Sequence, residues 1–167
     1  MKVKLEEFLR ILTEQNRLVQ GLVELAGEKR RLVILGQVRA LDELLKKEGR
    51  LVLALERLED ERYRLQGELA GQMGMDVADL AASTLLAVVR ERGFPGEDVL
   101  QEQLETLQAG LNSLKVLNRE NEDLINQSLS FIRCLEDAIT RGGSFTYSDK
   151  GALVGNRRKI SLLDQKV

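Results

Sequence analysis

Two long runs of apolar residues at helical spacing, similar in length and separated by one Gly-Gln break, constrain this chain more than any other feature. In the first, Leu5, Phe8, Leu9, Leu12, Val19, Leu22, Val23, Ala26 and Val33 recur at intervals that gather on one flank of an α-helix, widened by Ile11, Leu18, Leu25 and Leu32. No face of a strand would collect them. A helix of about 30 residues is ~45 Å long, too long for an average globular core, so it has to lie along something equally long. The candidate follows Gly36-Gln37, where Val38, Leu41, Leu44, Leu45, Leu51, Val52, Leu55, Leu58, Leu65 and Leu69 continue the period. Leu44, Leu51, Leu58 and Leu65 repeat every seven residues, a seam that stays in register with a neighbour if the pair winds gently left-handed. The short break predicts an antiparallel hairpin. A parallel zipper through the same leucines, giving a homodimer, is the competing arrangement; no basic block precedes it for DNA binding.

Beyond the hairpin, Gly67, Gly71 and Gly74 are expected to end the second helix, and Asp76 to cap a shorter apolar helix over 77–90. Gly93-Phe-Pro-Gly96 forces a turn, because Pro95 fixes its own φ and disfavours helix at Phe94. A final helix is expected from Glu97 to Ile139, opening on Leu100, Leu104, Leu107, Leu111 and Leu114. Glycines within these helices (Gly21, Gly27, Gly49, Gly67, Gly110) lie mostly off the apolar stripes, and each weakens the helix by ~1 kcal/mol relative to Ala. The fold class is therefore all-α: a long helical hairpin, a short helix, a long C-terminal helix and a flexible tail. We divide the chain into a helical body over 1–140 and a basic tail over 141–167. From Arg141 onward six basic residues face two acidic ones, leaving −6 on the body of a chain whose formal charge is −2.

The chemistry that is missing narrows the function. There is no His, so Ser-His, Cys-His and Glu-x-x-His constellations have no parts. Carboxylates such as Glu56, Glu59, Asp60 and Glu61 fall on expected solvent faces, where nothing would raise a pKa for acid–base work. The lone Cys134 cannot form an internal disulfide. We expect no enzyme activity, no metal and no cofactor. Charged residues are 31% and aromatics 4%, without a basic face interleaved with aromatics, so nucleic acid is not an expected partner. The opening MKVKLEEFLR carries two acids among its first seven residues and does not read as a secretory signal. No apolar run approaches the ~20 residues needed to span a bilayer, so no integral membrane insertion and a cytoplasmic location are expected.

The last helix carries the most informative surface. Its stripe runs through Leu114, Leu117, Leu124, Ile125, Phe131, Ile132, Leu135 and Ile139, interrupted by Asn118, Asn121 and Ser128 where a core helix would carry Leu or Ile. Amides in a helical seam either set register by demanding a polar partner or hydrogen-bond an incoming helix or strand. The apolar members face the same alternative of internal core or exposed groove.

The order of elements resembles the FlgN-like flagellar export chaperones over roughly residues 4–151. Three local signatures carry the resemblance: Glu14-Gln15-Asn16 with Glu28-Lys29-Arg30, the Leu117-Asn118…Asn121…Gln127-Ser128-Leu129 run, and the tail Tyr147-Ser148-Asp149-Lys150-Gly151. In the family the tail reads closer to Tyr-Asp-x-x-Gly, so the acid here stands one residue later. The resemblance implies a cytosolic helical chaperone that binds the C-terminal helical region of hook-associated proteins, prevents their early association and brings them to the flagellar type III export gate. It further implies a cargo surface of Asn118, Asn121, Leu124, Ile125, Ser128, Phe131, Ile132, Leu135 and Ile139, with Tyr147 as the gate contact. The alternative is a structural coiled-coil adaptor that self-associates.

Overall fold

In the computed structural model, which describes residues 1–141, 145–147 and 153–155, the two apolar runs are helices α1 (Lys2–Ile34) and α2 (Val38–Met73). They form the expected antiparallel hairpin. Lys4 pairs with Glu68, Gln15 with Glu59 and Lys29 with Glu48, so partner numbers fall as α1 numbers rise. The turn is a helix stop built on Gly36, whose φ of 64° is a conformation that side chains with a Cβ avoid. The Gly36 N–H donates to the Val33 carbonyl at 3.2 Å, and the Gln37 N–H to the Leu32 carbonyl at 3.0 Å. That pair of bonds satisfies carbonyls which the end of α1 would otherwise leave open.

The seam leucines are used inside the chain. Leu44 and Leu65 are buried and Leu51 and Leu58 half-buried. A parallel zipper through them would have to open the hairpin first.

Two expectations need correction beyond the hairpin. Helix α2 does not dissolve at Gly67 and Gly71; it runs to Met73 and stops at Gly74, φ 72°. Leu65, Leu69 and Ala70 are buried around those glycines. Burying a Leu contributes ~1.5–3 kcal/mol against the ~1 kcal/mol that each glycine costs. Asp76 does cap, its carboxylate accepting from the Ala78 N–H at 3.2 Å, but what it caps is one 3-10 turn, Val77–Asp79. The expected helix begins only at Ala82, as α3 (Ala82–Glu91). The reason lies at Leu80, whose side chain is buried and whose carbonyl accepts from Gln66 Nε2 at 2.7 Å. Tied there to α2, the backbone is held outside helical geometry.

The Gly93–Gly96 turn is as expected, and α4 (Glu97–Arg141) follows with Glu97 and Asp98 in its first turn, where the helix dipole favours acids. Residues Met1–Asn118 make one compact unit. Its core lies where the start of α1, the end of α2, α3 and the start of α4 meet, on Leu5, Phe8, Leu12, Leu65, Leu69, Leu85, Val89 and Leu100. The helix glycines were expected mostly off the contact stripes. Gly27, Gly49 and Gly67 are open, but a Cβ on Gly21 would lie 3.3 Å from Leu51 Cδ1, and one on Gly110 would lie 2.8 Å from Val19 Cγ1. At those two positions a small residue lets α1 approach a neighbouring helix.

Arg119–Val167 is the second compact unit. Besides the end of α4 it contains two short strands, β1 (Phe145–Tyr147) and β2 (Leu153–Gly155), paired antiparallel with Phe145 opposite Gly155 and Tyr147 opposite Leu153. The sequence pattern led us to expect no strand. Three residues a side are too few for a period to show, although Phe, Thr, Tyr, Leu and Val suit a pleated backbone. Most of the tail expected over 141–167, including Lys150 and the basic run at 157–159, lies outside the described residues.

Candidate protein-binding surface

Helical geometry advances each residue by about 100°. On α4 this places Asn121, Leu124, Ile125, Ser128, Ile132, Leu135 and Ile139 on one continuous stripe, with Asn118 and Phe131 on opposite margins. Leu124, Ile125, Ser128 and Leu135 are half-buried. Phe131, Ile132 and Ile139 keep 38, 48 and 67% of their surface in solvent. Leu129, beside the Asn118 margin, is exposed as well. The apolar part of the stripe is thus more open from Phe131 onward than at Leu124 and Ile125, with Leu135 half-buried between exposed Ile132 and Ile139.

The polar members divide. Asn118 is exposed, whereas Asn121 retains 2% of its surface. The Ser128 hydroxyl donates to the Leu124 carbonyl at 3.0 Å, one turn back in its own helix, and so has no proton left for a partner. Cys134 is half-buried and off the stripe. Tyr147 is placed in β1 by its backbone; its side chain lies outside the described structure.

Both halves of the first sequence signature hold α1 in place, a role the pattern did not reveal. Gln15, buried on α1, donates through Nε2 to Glu59 Oε2 on α2 at 2.9 Å. Asn16 donates through Nδ2 to the Gln103 carbonyl and to Gln103 Oε1 on α4, at 2.9 and 2.8 Å. Lys29 meets Glu48 at 2.6 Å in a largely sheltered ion pair. From the Glu59 carboxylate the network continues through Arg62 to Gln66 and from there to the Leu80 carbonyl. Neighbouring residues of one helix point to different neighbours, so Gln15-Asn16 fixes the register of two contacts at once. The only hint was a pair of amides inside an apolar run.

At Glu59 the surroundings work against a role as a general acid. The Arg62 guanidinium, and then the Gln15 amide, hold its carboxyl below the usual glutamate range, although burial opposes them. A general acid at neutral pH needs the opposite shift. A group with a lowered folded-state pKa contributes stability that is present above its unfolded pKa and lost as pH falls through the folded value. We therefore expect the thermal midpoint to fall on acidification below about pH 5, near the unfolded carboxyl pKa. Glu59→Gln should lower the midpoint at pH 7 and flatten that acid limb. An acid limb of unchanged steepness in circular-dichroism melts would show that Glu59 does not contribute to it.

Among the described residues no group of three or more His, Cys, Asp or Glu is placed to hold a metal, and no helix is long and apolar enough to cross a membrane.

The family model described as FlgN protein matches residues 1–155, from the start of α1 to the last residue of β2. Uncharacterized protein YvyG of Bacillus subtilis (strain 168) is 25% identical over 149 residues, which cover 88% of this chain and 89% of that protein. No solved structure matches.

Proposed function

Because the chain belongs to the FlgN protein family, whose members are flagellar export chaperones, we propose that it binds the C-terminal helical region of hook-associated proteins along the end of α4. It acts in the cytoplasm and without chemistry, keeps that region of its cargo from associating early, and brings the cargo to the flagellar export gate. The observation that carries this reading is the open end of the stripe, where Phe131, Ile132 and Ile139 stand exposed beside half-buried Leu124, Ile125, Ser128 and Leu135. A helix laid along them would take anchors at three- and four-residue spacing into the seam, the geometry of helix-in-groove recognition. Asn118 is available to hydrogen-bond the incoming chain. In the conformation described, Asn121 is buried, so its part in binding requires its amide to turn outward. Tyr147, with a ring that can bury and a hydroxyl that can hydrogen-bond, is the proposed contact with the gate.

The test is calorimetry of the full chain against C-terminal fragments of several hook-associated proteins. We expect one fragment to bind at micromolar affinity or tighter and Phe131→Asp with Leu135→Asp to weaken it by about 100-fold, the loss expected when two apolar anchors are replaced by charges. Heat from none of the fragments, or full binding by the double variant with its helical spectrum intact, would remove the proposal.

A further inference from the structure

At the opposite end of α1 from the four-helix core, the hairpin turn presents an apolar tip. Ile34, Leu35 and Val38 expose 63, 57 and 74% of their surface, and every residue from Ile34 to Ala40 is exposed. Three aliphatic side chains clustered at a turn in this way are unusual on a small surface loop, where polar turn residues are the rule.

Two further features say what covers them. The first is charge. Between Lys29 and Asp42 there are three arginines, Arg30, Arg31 and Arg39, and no acid. The acids nearest the tip already have cationic neighbours: Glu28 lies 3.7 Å from Arg31, and Asp42 and Glu43 both meet Lys46, at 2.8 and 2.9 Å. The second is the backbone. The Leu35, Gly36, Gln37 and Val38 N–H groups donate to the carbonyls of Arg31, Val33, Leu32 and Gly36, all between 3.0 and 3.2 Å. The apex can therefore leave bulk water without stranding these donors, which lowers the cost of approaching a lipid interface.

A turn in which all seven residues are exposed cannot form a groove around a partner's side chain. It can enter a soft surface. We propose that the hairpin tip is a peripheral membrane contact: Ile34, Leu35 and Val38 enter the headgroup–acyl boundary of an anionic bilayer, and Arg30, Arg31 and Arg39 lie at the level of the lipid phosphates. Shallow apolar insertion plus basic residues near the surface is a sufficient pair of signals for reversible membrane association. The proposal is independent of the cargo surface on α4, which shares no residue with the tip and, apart from Asn118, lies in the other compact unit.

Sedimentation of the full chain with vesicles tests it, comparing 30% phosphatidylglycerol in phosphatidylcholine with phosphatidylcholine alone, at low and at physiological salt. We expect binding to the anionic vesicles only, weakened by salt. Ile34→Ser, Leu35→Ser and Val38→Ser combined should reduce the vesicle partition coefficient by about tenfold or more, and Arg31→Glu with Arg39→Glu by a similar factor. All five positions are exposed, so the variants should keep the parent's helical spectrum, with Arg31→Glu giving up only the exposed contact with Glu28. The basic run at 157–159 is the control: Arg157→Gln, Arg158→Gln and Lys159→Gln should leave most of the binding. Absence of vesicle binding, equal binding to neutral lipid, or loss with the 157–159 variant and not with the tip variants would each overturn the proposal.

Discussion

Leu69→Ala is expected to lower the unfolding free energy by about 2–5 kcal/mol, the range for removing a buried leucine where neighbours cannot fully collapse. Leu69 has no solvent-exposed surface and belongs to the cluster drawn from α1, α2, α3 and α4. The cluster draws on four segments held in place by separate chain connections, so we expect a loss at the high end of the range. Domains of this size have only about 5–15 kcal/mol in hand, and such a loss should be plain in urea denaturation followed by helical circular dichroism. Leu53→Ala is the matched control, on an exposed position of the same helix, and should change stability by about 0.5 kcal/mol or less. Similar effects from the two substitutions would mean that the core does not lie where α2 meets the other helices.

The second large effect concerns a residue that is small for a reason. A Cβ at Gly110 would stand 2.8 Å from Val19 Cγ1, and Val19 is itself buried and branched at Cβ, with little freedom to turn away. Valine should be a better helix former than glycine by a few tenths of a kcal/mol. Overpacking of a filled contact costs about 1–3 kcal/mol, sometimes more, and should win. Gly110→Val is thus expected to destabilise by about 2–3 kcal/mol, near the top of that range because the clash begins at the first carbon added. Val19→Ala in the same chain should recover at least half of the loss. If the two substitutions were simply additive in denaturant titrations, α1 and α4 would not touch at this point.

The two positions illustrate how far a pattern can be read. Periodicity alone identified Leu69 as a stripe residue, yet the same reading spread the helix end over Gly67, Gly71 and Gly74, whereas burial of Leu65, Leu69 and Ala70 carries α2 past the first two to the last. It did not single out Gly110 among the helix glycines, because a contact made by the absence of a side chain has no apolar signature. The candidate surface was legible in outline: the nine positions on α4 were chosen from spacing together with the family signatures, and they fall on one stripe with Asn118 and Phe131 at its margins. Spacing does not report accessibility. The exposed Ile139 and the buried Asn121 look alike to a period count.

What the sequence determined by itself was local and periodic: the α-helical class, the turn at Gly36-Gln37, the turn before α4, and the lack of parts for histidine-based catalysis. These follow from rotation per residue, from the backbone restrictions of Gly and Pro, and from composition, none of which needs a third dimension. The choice of an antiparallel hairpin over a parallel zipper came from the cross-helix pairs. Only the tertiary structure decided that Leu80 stays out of helix because Gln66 holds its carbonyl, that Gln15 and Asn16 bind two different helices, and that the apolar ends of α1 and α2 stand exposed at the turn. Each depends on which distant residue arrives next to which, and the energies that choose among such arrivals are sums over contacts that no single stretch of sequence contains.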